Sequence, residues 1–144
     1  MFGVLTSSLG IGSMLGALIV AGRQKPTRRF IYSFATIFGA TDIAISFSRS
    51  YALTVIFLVL LGVASIAYIA STNTSLQMNS PKELRGRIMG LYVVIFAGST
   101  PIGALFTGFI AEILGTAAMI LIEGTLCLIG VLAGIFYIKK KSLR

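Results

Sequence analysis

Long apolar runs alternate with short polar or basic breaks along this chain, and the alternation predicts its elements directly. A helix needs about 20 mostly apolar residues to cross a bilayer. Five stretches qualify: residues 3–22, 30–48, 51–72, 88–110 and 116–138. The breaks between them differ in kind. Residues 23–29 hold four cations around Pro26, Arg49-Ser50 is a minimal turn, residues 73–87 form a polar loop, and Ala111 to Gly115 make a tight turn with Glu112. A basic tail follows from Lys139 to Arg144. The pattern predicts an all-α integral membrane protein: five transmembrane helices in a single domain, residues 1–144.

Each span has its own irregularity. In the first, Ser8, Gly12 and Gly16 recur every four residues on one helix face. Small residues at that spacing let a second helix approach closely, and the same face would also suit the wall of a polar cavity. The second span carries Asp42 about two thirds of the way across. An acidic group at that depth is costly unless it is protonated, paired or facing water. Asp42 is therefore either an ion-coupling or substrate group, or a residue near the outer interface that pairs with Arg49. Glu123 poses the same question in the fifth span. The third span turns polar toward its end, and Ser65 to Asn73 is the stretch best suited to a cavity. In the fourth, Pro101 removes one backbone hydrogen bond and predicts a kink. Gly130 and Gly134 supply another small-residue face in the fifth. Ser80-Pro81-Lys82-Glu83 reads as a capping box with proline at the first helical position, so a helix is expected to start there.

Composition narrows the function. The chain is 56% hydrophobic and 11% charged, with mean hydropathy +0.97, whereas soluble domains carry about 25% charged residues. The net charge of +8 would suggest nucleic acid in a soluble protein. Here it follows from cations gathering in cytoplasmic loops, and no nucleic-acid partner is expected. There is no histidine and one cysteine, Cys127. Disulfides within the chain and Cys/His metal sites are thereby excluded, and no cofactor is expected. An enzyme is disfavoured: no nucleophile–base pair, phosphate loop or metal set is present.

Five spans alternate sides. With residues 23–29 in the cytoplasm, residues 73–87 and the tail fall there too, and those segments carry four, three and four of the 12 cations. Only Arg49 faces out. The positive-inside rule then places the N-terminus outside and the C-terminus inside the plasma membrane. The first helix is glycine-rich and weakly polar, a poor lone anchor. The expectation is that the chain is the C-terminal part of a longer protein.

Three motifs resemble the major facilitator superfamily of secondary transporters, nearest its bacterial siderophore and drug exporters. Gly16-Ala-Leu-Ile-Val-Ala-Gly-Arg-Gln-Lys-Pro-Thr-Arg-Arg29 is similar to the second copy of that family's signature loop. It lacks the acidic residue usual in the first copy, so the gating ion pair does not carry over. Pro81-Lys-Glu-Leu-Arg-Gly-Arg87, with Met89 and Tyr92, resembles the loop entering helix eleven. Gly98-Ser-Thr-Pro-Ile-Gly-Ala-Leu-Phe-Thr-Gly108 resembles the glycine/proline helix of antiporters. The likeness spans the whole chain as helices eight to twelve, part of a C-terminal six-helix bundle whose partner helices precede it. It implies alternating access, ion-driven export of a small-molecule substrate, and a central cavity faced by the first, third and fourth spans. That plan favours Thr6, Ser13, Ser65, Tyr68, Tyr92 and Ser99 as cavity-lining residues over Asp42 and Glu123. It assigns Arg85, Gly86 and Arg87, with Arg28 and Arg29, to a cytoplasmic gate; charge-directed topology explains Arg85 and Arg87 equally well. The alternative function is a non-transporting membrane subunit, homo-oligomeric or assembling with a partner.

Overall fold

The computed structural model describes residues 2–23 and 25–142. Residue 1, residue 24 of the first loop, residues 143 and 144 of the basic tail and the side chains at 2, 141 and 142 lie outside the described residues. Five helices account for nearly all of the described chain: α1 (Phe2–Ala21), α2 (Arg28–Phe47), α3 (Tyr51–Asn79), α4 (Arg85–Leu114) and α5 (Thr116–Ser142). Each is long and apolar enough to cross a membrane. At 1.5 Å per residue α3 and α4 reach about 45 Å, well beyond a hydrocarbon core of about 30 Å, so their polar ends project from it.

Two intimate helix pairs organise the fold. In the first, Gly12 of α1 lies against the Val59 carbonyl of α3, and Gly16 against that of Val63. The numbers rise together, so α1 and α3 run in the same direction. Gly62 of α3 fits reciprocally beside Leu9 and Ser13. Ser8, Gly12 and Gly16 are all buried, and the small-residue face is thus a packing face rather than a cavity wall. The Ser8 hydroxyl stays within its own helix, donating to the Val4 carbonyl at 2.7 Å.

The second pair is α2 with α5, running antiparallel. Gly39 meets the Gly124 carbonyl, Ala35 meets Cys127, and Tyr32 meets Gly134. The close-approach glycine of α5 is therefore Gly124. A side chain at Gly134 would first meet the Tyr32 ring, and Gly130 has nothing within 4 Å of where a side chain would begin. Of the Gly130/Gly134 face expected from spacing only Gly134 meets α2, and the close backbone approach falls at Gly124, about two turns before Gly130.

Short connections fix the remaining order. Arg23 lies over the Phe30 ring at 4.3 Å, tying the end of α1 to the start of α2. Ser48 and Thr54 share a hydroxyl–hydroxyl hydrogen bond of 3.0 Å across the α2–α3 turn. The α4–α5 hairpin turns on Gly115 at φ +86° and ψ 156°, a conformation open almost only to glycine. Its amide donates to Ala111 and its carbonyl accepts from Met119.

The capping-box expectation fails at Ser80. Its hydroxyl donates to the Leu76 carbonyl at 2.6 Å and so closes α3. Pro81 disfavours helical backbone in the residue before it, and Ser80 is extended at φ −90° and ψ 135°. Pro81 to Leu84 form a single turn, with the Leu84 amide on the Pro81 carbonyl. The next helix begins at Arg85. The proline ends α3 rather than opening α4.

The helix α4 stands apart. It packs along α5, touches α3 lightly, and buries none of its residues; Leu105 is 77% exposed. It runs unbroken through Pro101, with the Ser99 and Thr100 hydroxyls both donating to the Phe96 carbonyl in the turn before it.

Candidate functional site

A cleft opens where α4 stands off from α2 and α3. Its inner part, about 500 Å³, is walled by Tyr32 and Phe38 of α2, Ser65 and Tyr68 of α3, Phe96 of α4 and Cys127 of α5. A second cavity of about 560 Å³ adjoins it across Tyr32 and Tyr68, and is lined by Arg28, Thr72, Ser75, Asn79 and Tyr92. A third, of about 570 Å³, shares Tyr32 and Arg28 and adds Arg29 and Lys139. Tyr32 thus stands at the junction of all three. Volumes of about 300–1,000 Å³ are those of ordinary small-molecule sites.

Helix geometry produces this surface. On α3, Ser65, Tyr68, Thr72, Ser75 and Asn79 follow three- and four-residue steps, a single stripe along one helix face. On α2, Arg28, Ile31, Tyr32, Ala35 and Phe38 make the facing stripe. The rest of the α3 polar segment points elsewhere: Ala64, Ala67 and Ser71 are buried on the neighbouring stripe. The Ser71 hydroxyl and the Asn73 side-chain oxygen are buried without a hydrogen-bond partner among the described residues. The cleft hydroxyls are held in place by their own helix, as with Ser65 on the Gly62 carbonyl and Thr72 on the Tyr68 carbonyl. The Tyr92 ring stacks on Phe96 at 5.9 Å, setting both rings on the α4 side.

Of the six cavity candidates, Ser65, Tyr68 and Tyr92 meet at this cleft. Ser13 lies at the α1–α3 crossing beside Gly62, Thr6 is on the exposed side of α1, and Ser99 is exposed on α4. Tyr32, Phe38, Phe96 and Cys127 carry no motif and were not singled out by sequence; the α2 stripe is the signal that finds the first two.

The charged candidates fall into separate places. Arg28 and Arg29 occupy the first turn of α2 beside Lys139 of α5. Arg85, Gly86 and Arg87 are exposed in the first turn of α4 and do not line the cleft. Cations at a helix N-terminus oppose the helix dipole, so these arginines are not there to stabilise their helices.

Asp42 is 5% exposed, and its Cβ lies against Gly124 at the α2–α5 crossing. No ion pair joins it to Arg49, which is exposed at the turn. Glu123, next to Gly124, points toward α4 and accepts a hydrogen bond from Thr107 at 3.3 Å. The crossing therefore brings both carboxylates to one level of the bundle, Asp42 inside it and Glu123 on its α4 side. Neither lines the cleft. Cys127 reaches the cleft while its thiol donates to the Ala35 carbonyl at 3.6 Å.

In comparison with known families, the model of the transmembrane secretion effector family matches residues 1–142. No curated protein and no solved structure matches the chain.

Proposed function

The chain belongs to the transmembrane secretion effector family, within the major facilitator superfamily, and from that premise we propose that it serves ion-gradient-driven export of a small molecule of the drug or siderophore type. The observation that carries the proposal is the cleft. Transporters of this kind hold their cargo between helices that move against each other. Here the cargo's seat lies between two tightly packed pairs and α4, the helix with no buried residue. Serine and tyrosine hydroxyls from α3 and α4 face one another there, with Arg28, Thr72 and Asn79 at one end and apolar and aromatic side chains at the other.

In this reading the basic breaks lie in the cytoplasm, the N-terminus outside and the whole in the plasma membrane. The exposed sides of α1 and α4 meet the remaining helices of the complete transporter. Arg85 and Arg87 guard the cytoplasmic side. Asp42 is the coupling group: a buried carboxylate in a span costs about 2.5–3.5 kcal/mol when charged, so picking up a proton releases that cost and loosens or tightens the α2–α5 crossing. Glu123, bridged to Thr107 of α4, transmits the change to the mobile helix.

The test is Asp42→Asn in the complete transporter reconstituted into vesicles. Cargo binding persists and gradient-driven transport is lost; undiminished gradient-driven transport by the variant would remove Asp42 from the mechanism. Residues 1–144 alone are expected to show no gradient-driven transport. The exposure of α4 also favours a second reading, a non-transporting subunit that assembles through that helix, and a stable homo-oligomer of the isolated chain without any transport partner would support it.

A further inference from the structure

We propose that the cleft takes an anionic amphiphile drawn laterally from the membrane leaflet on its Arg28 side, with the anionic group at Arg28 and the apolar body running inward past Tyr32 and Tyr68 to Phe38 and Phe96. This rests on the cleft being the seat of the exported molecule, and it names that molecule's class.

Charge decides the sign. The four carboxylates of the chain are Asp42, Glu83, Glu112 and Glu123, and none lines the cleft or the two cavities that adjoin it. The charged side chains that do are Arg28, Arg29 and Lys139. Among the described residues no acidic side chain pairs with Arg28. A cationic ligand would meet only like charge. An anionic one meets a guanidinium, whose planar fork matches phosphate and carboxylate oxygens.

Polarity and length decide the shape. The outer cavity carries the polar groups Arg28, Thr72, Ser75 and Asn79 among Ile31, Leu76 and Ile138. The inner one carries no charged residue and is walled by aromatic rings. From Arg28 to Phe38 is ten residues of continuous helix, about 15 Å at 1.5 Å per residue. That equals half of a hydrocarbon core of about 30 Å, the depth of one leaflet. A compact inorganic anion would leave the aromatic part unfilled, and a neutral apolar molecule would have no need of Arg28. Because α4 only lightly touches α3, the cleft is open between them, and this gap is the proposed side entrance.

The experiment uses the full chain in neutral detergent, with native mass spectrometry of bound phosphatidylglycerol and of phosphatidylcholine with identical acyl chains. Phosphatidylglycerol is expected to bind roughly tenfold more tightly, because both phosphates can meet the guanidinium but only phosphatidylcholine also brings a cation up to Arg28, Arg29 and Lys139. Arg28→Gln removes that preference and Arg28→Lys retains part of it. Ser65→Phe fills the inner cleft and weakens phosphatidylglycerol binding roughly tenfold with every cation intact, circular dichroism confirming that the helices persist. Lys82→Gln, in the Pro81–Leu84 turn, changes nothing. Equal binding of the two lipids overturns the proposal, as does a Lys82→Gln effect equal to that of Arg28→Gln, which would mean diffuse surface charge. It also fails if Ser65→Phe has no effect, or if 1-naphthoate binds where phosphatidylglycerol does not. Reconstitution of the complete transporter separates the two layers. Gradient-driven export without lipid binding overturns the amphiphile and leaves the exporter standing; lipid binding without any export does the reverse.

Discussion

Alanine at Gly10 and at Gly16 of α1 should change stability in opposite directions, although the helix and the substitution are the same. A Cβ on Gly16 would sit 2.5 Å from the Val63 carbonyl oxygen and 3.0 Å from the Val63 Cα, both backbone atoms that cannot swing aside. Ordinary contact begins at 3.4 Å, so α1 must retreat from α3 by about 0.9 Å. A gap of about 0.5–1 Å forfeits a quarter to a half of the attraction in each contact it opens, and strain of this kind costs about 1–3 kcal/mol. At Gly10 there is nothing within 4 Å. Alanine there only restricts the unfolded backbone and gains about 0.5–1 kcal/mol. Unfolding of the chain in mixed micelles with increasing sodium dodecyl sulfate, followed by far-ultraviolet circular dichroism, measures both. Gly12→Ala, against the Val59 carbonyl, should behave like Gly16→Ala. The pair together should cost less than their sum, because one retreat of α1 serves both. If Gly10→Ala and Gly16→Ala shift the midpoint in the same direction, the α1–α3 crossing drawn here is wrong.

Three further outcomes follow from named residues. Gly124→Ala should destabilise by about 1–3 kcal/mol, since its Cβ would meet the Gly39 carbonyl at 2.8 Å and the Asp42 Cβ at 2.9 Å, whereas Gly130→Ala, with open space around it, should not; the same unfolding assay compares them. Gly115→Val should cost about 1–3 kcal/mol through its positive φ alone, with no packing change, because nothing lies within 4 Å; a smaller loss would mean that the α4–α5 turn relaxes freely. In a Cys127→Ser background, Arg49→Cys should react with an impermeant maleimide on intact cells and Lys82→Cys should react only after permeabilisation, and the reverse pattern would invert the proposed topology.

The helices were legible because a bilayer solvent leaves the backbone only helices or closed barrels, and continuous apolar runs of spanning length announce the first. Local signals that point both ways were less so. Ser80, Pro81 and Glu83 satisfy a helix-start pattern, yet proline restrains the residue before it as strongly as it suits the first turn of a helix, and at Ser80 the restraint won. Glycine spacing announced that close approaches exist without naming partners. Gly12 and Gly16 found Val59 and Val63, while on α5 the contact fell to Gly124, outside the Gly130/Gly134 repeat, because the crossing point belongs to the pair and not to either helix.

The cleft was half legible, and the missing half lay in phase rather than composition. Residues 65–79 mix polar and apolar positions when read along the chain. Taken at three- and four-residue steps, Ser65, Tyr68, Thr72, Ser75 and Asn79 separate from Ala64, Ala67 and Ser71, and the two sets go to different neighbours. The stripe on α2 has the same period, and α2 runs antiparallel to α3. Arg28 therefore lies at the Asn79 end and Phe38 at the Ser65 end, and both helices grade from polar to apolar in the same direction through space. The bilayer itself imposes part of this gradient, since spans that share a membrane face are polar there and apolar inside; the phase adds that Thr72, Ser75 and Asn79 fall on the stripe that lines the cavity with Arg28. That shared phase, more than the gradient, makes the cleft one continuous surface of α2 and α3 facing α4.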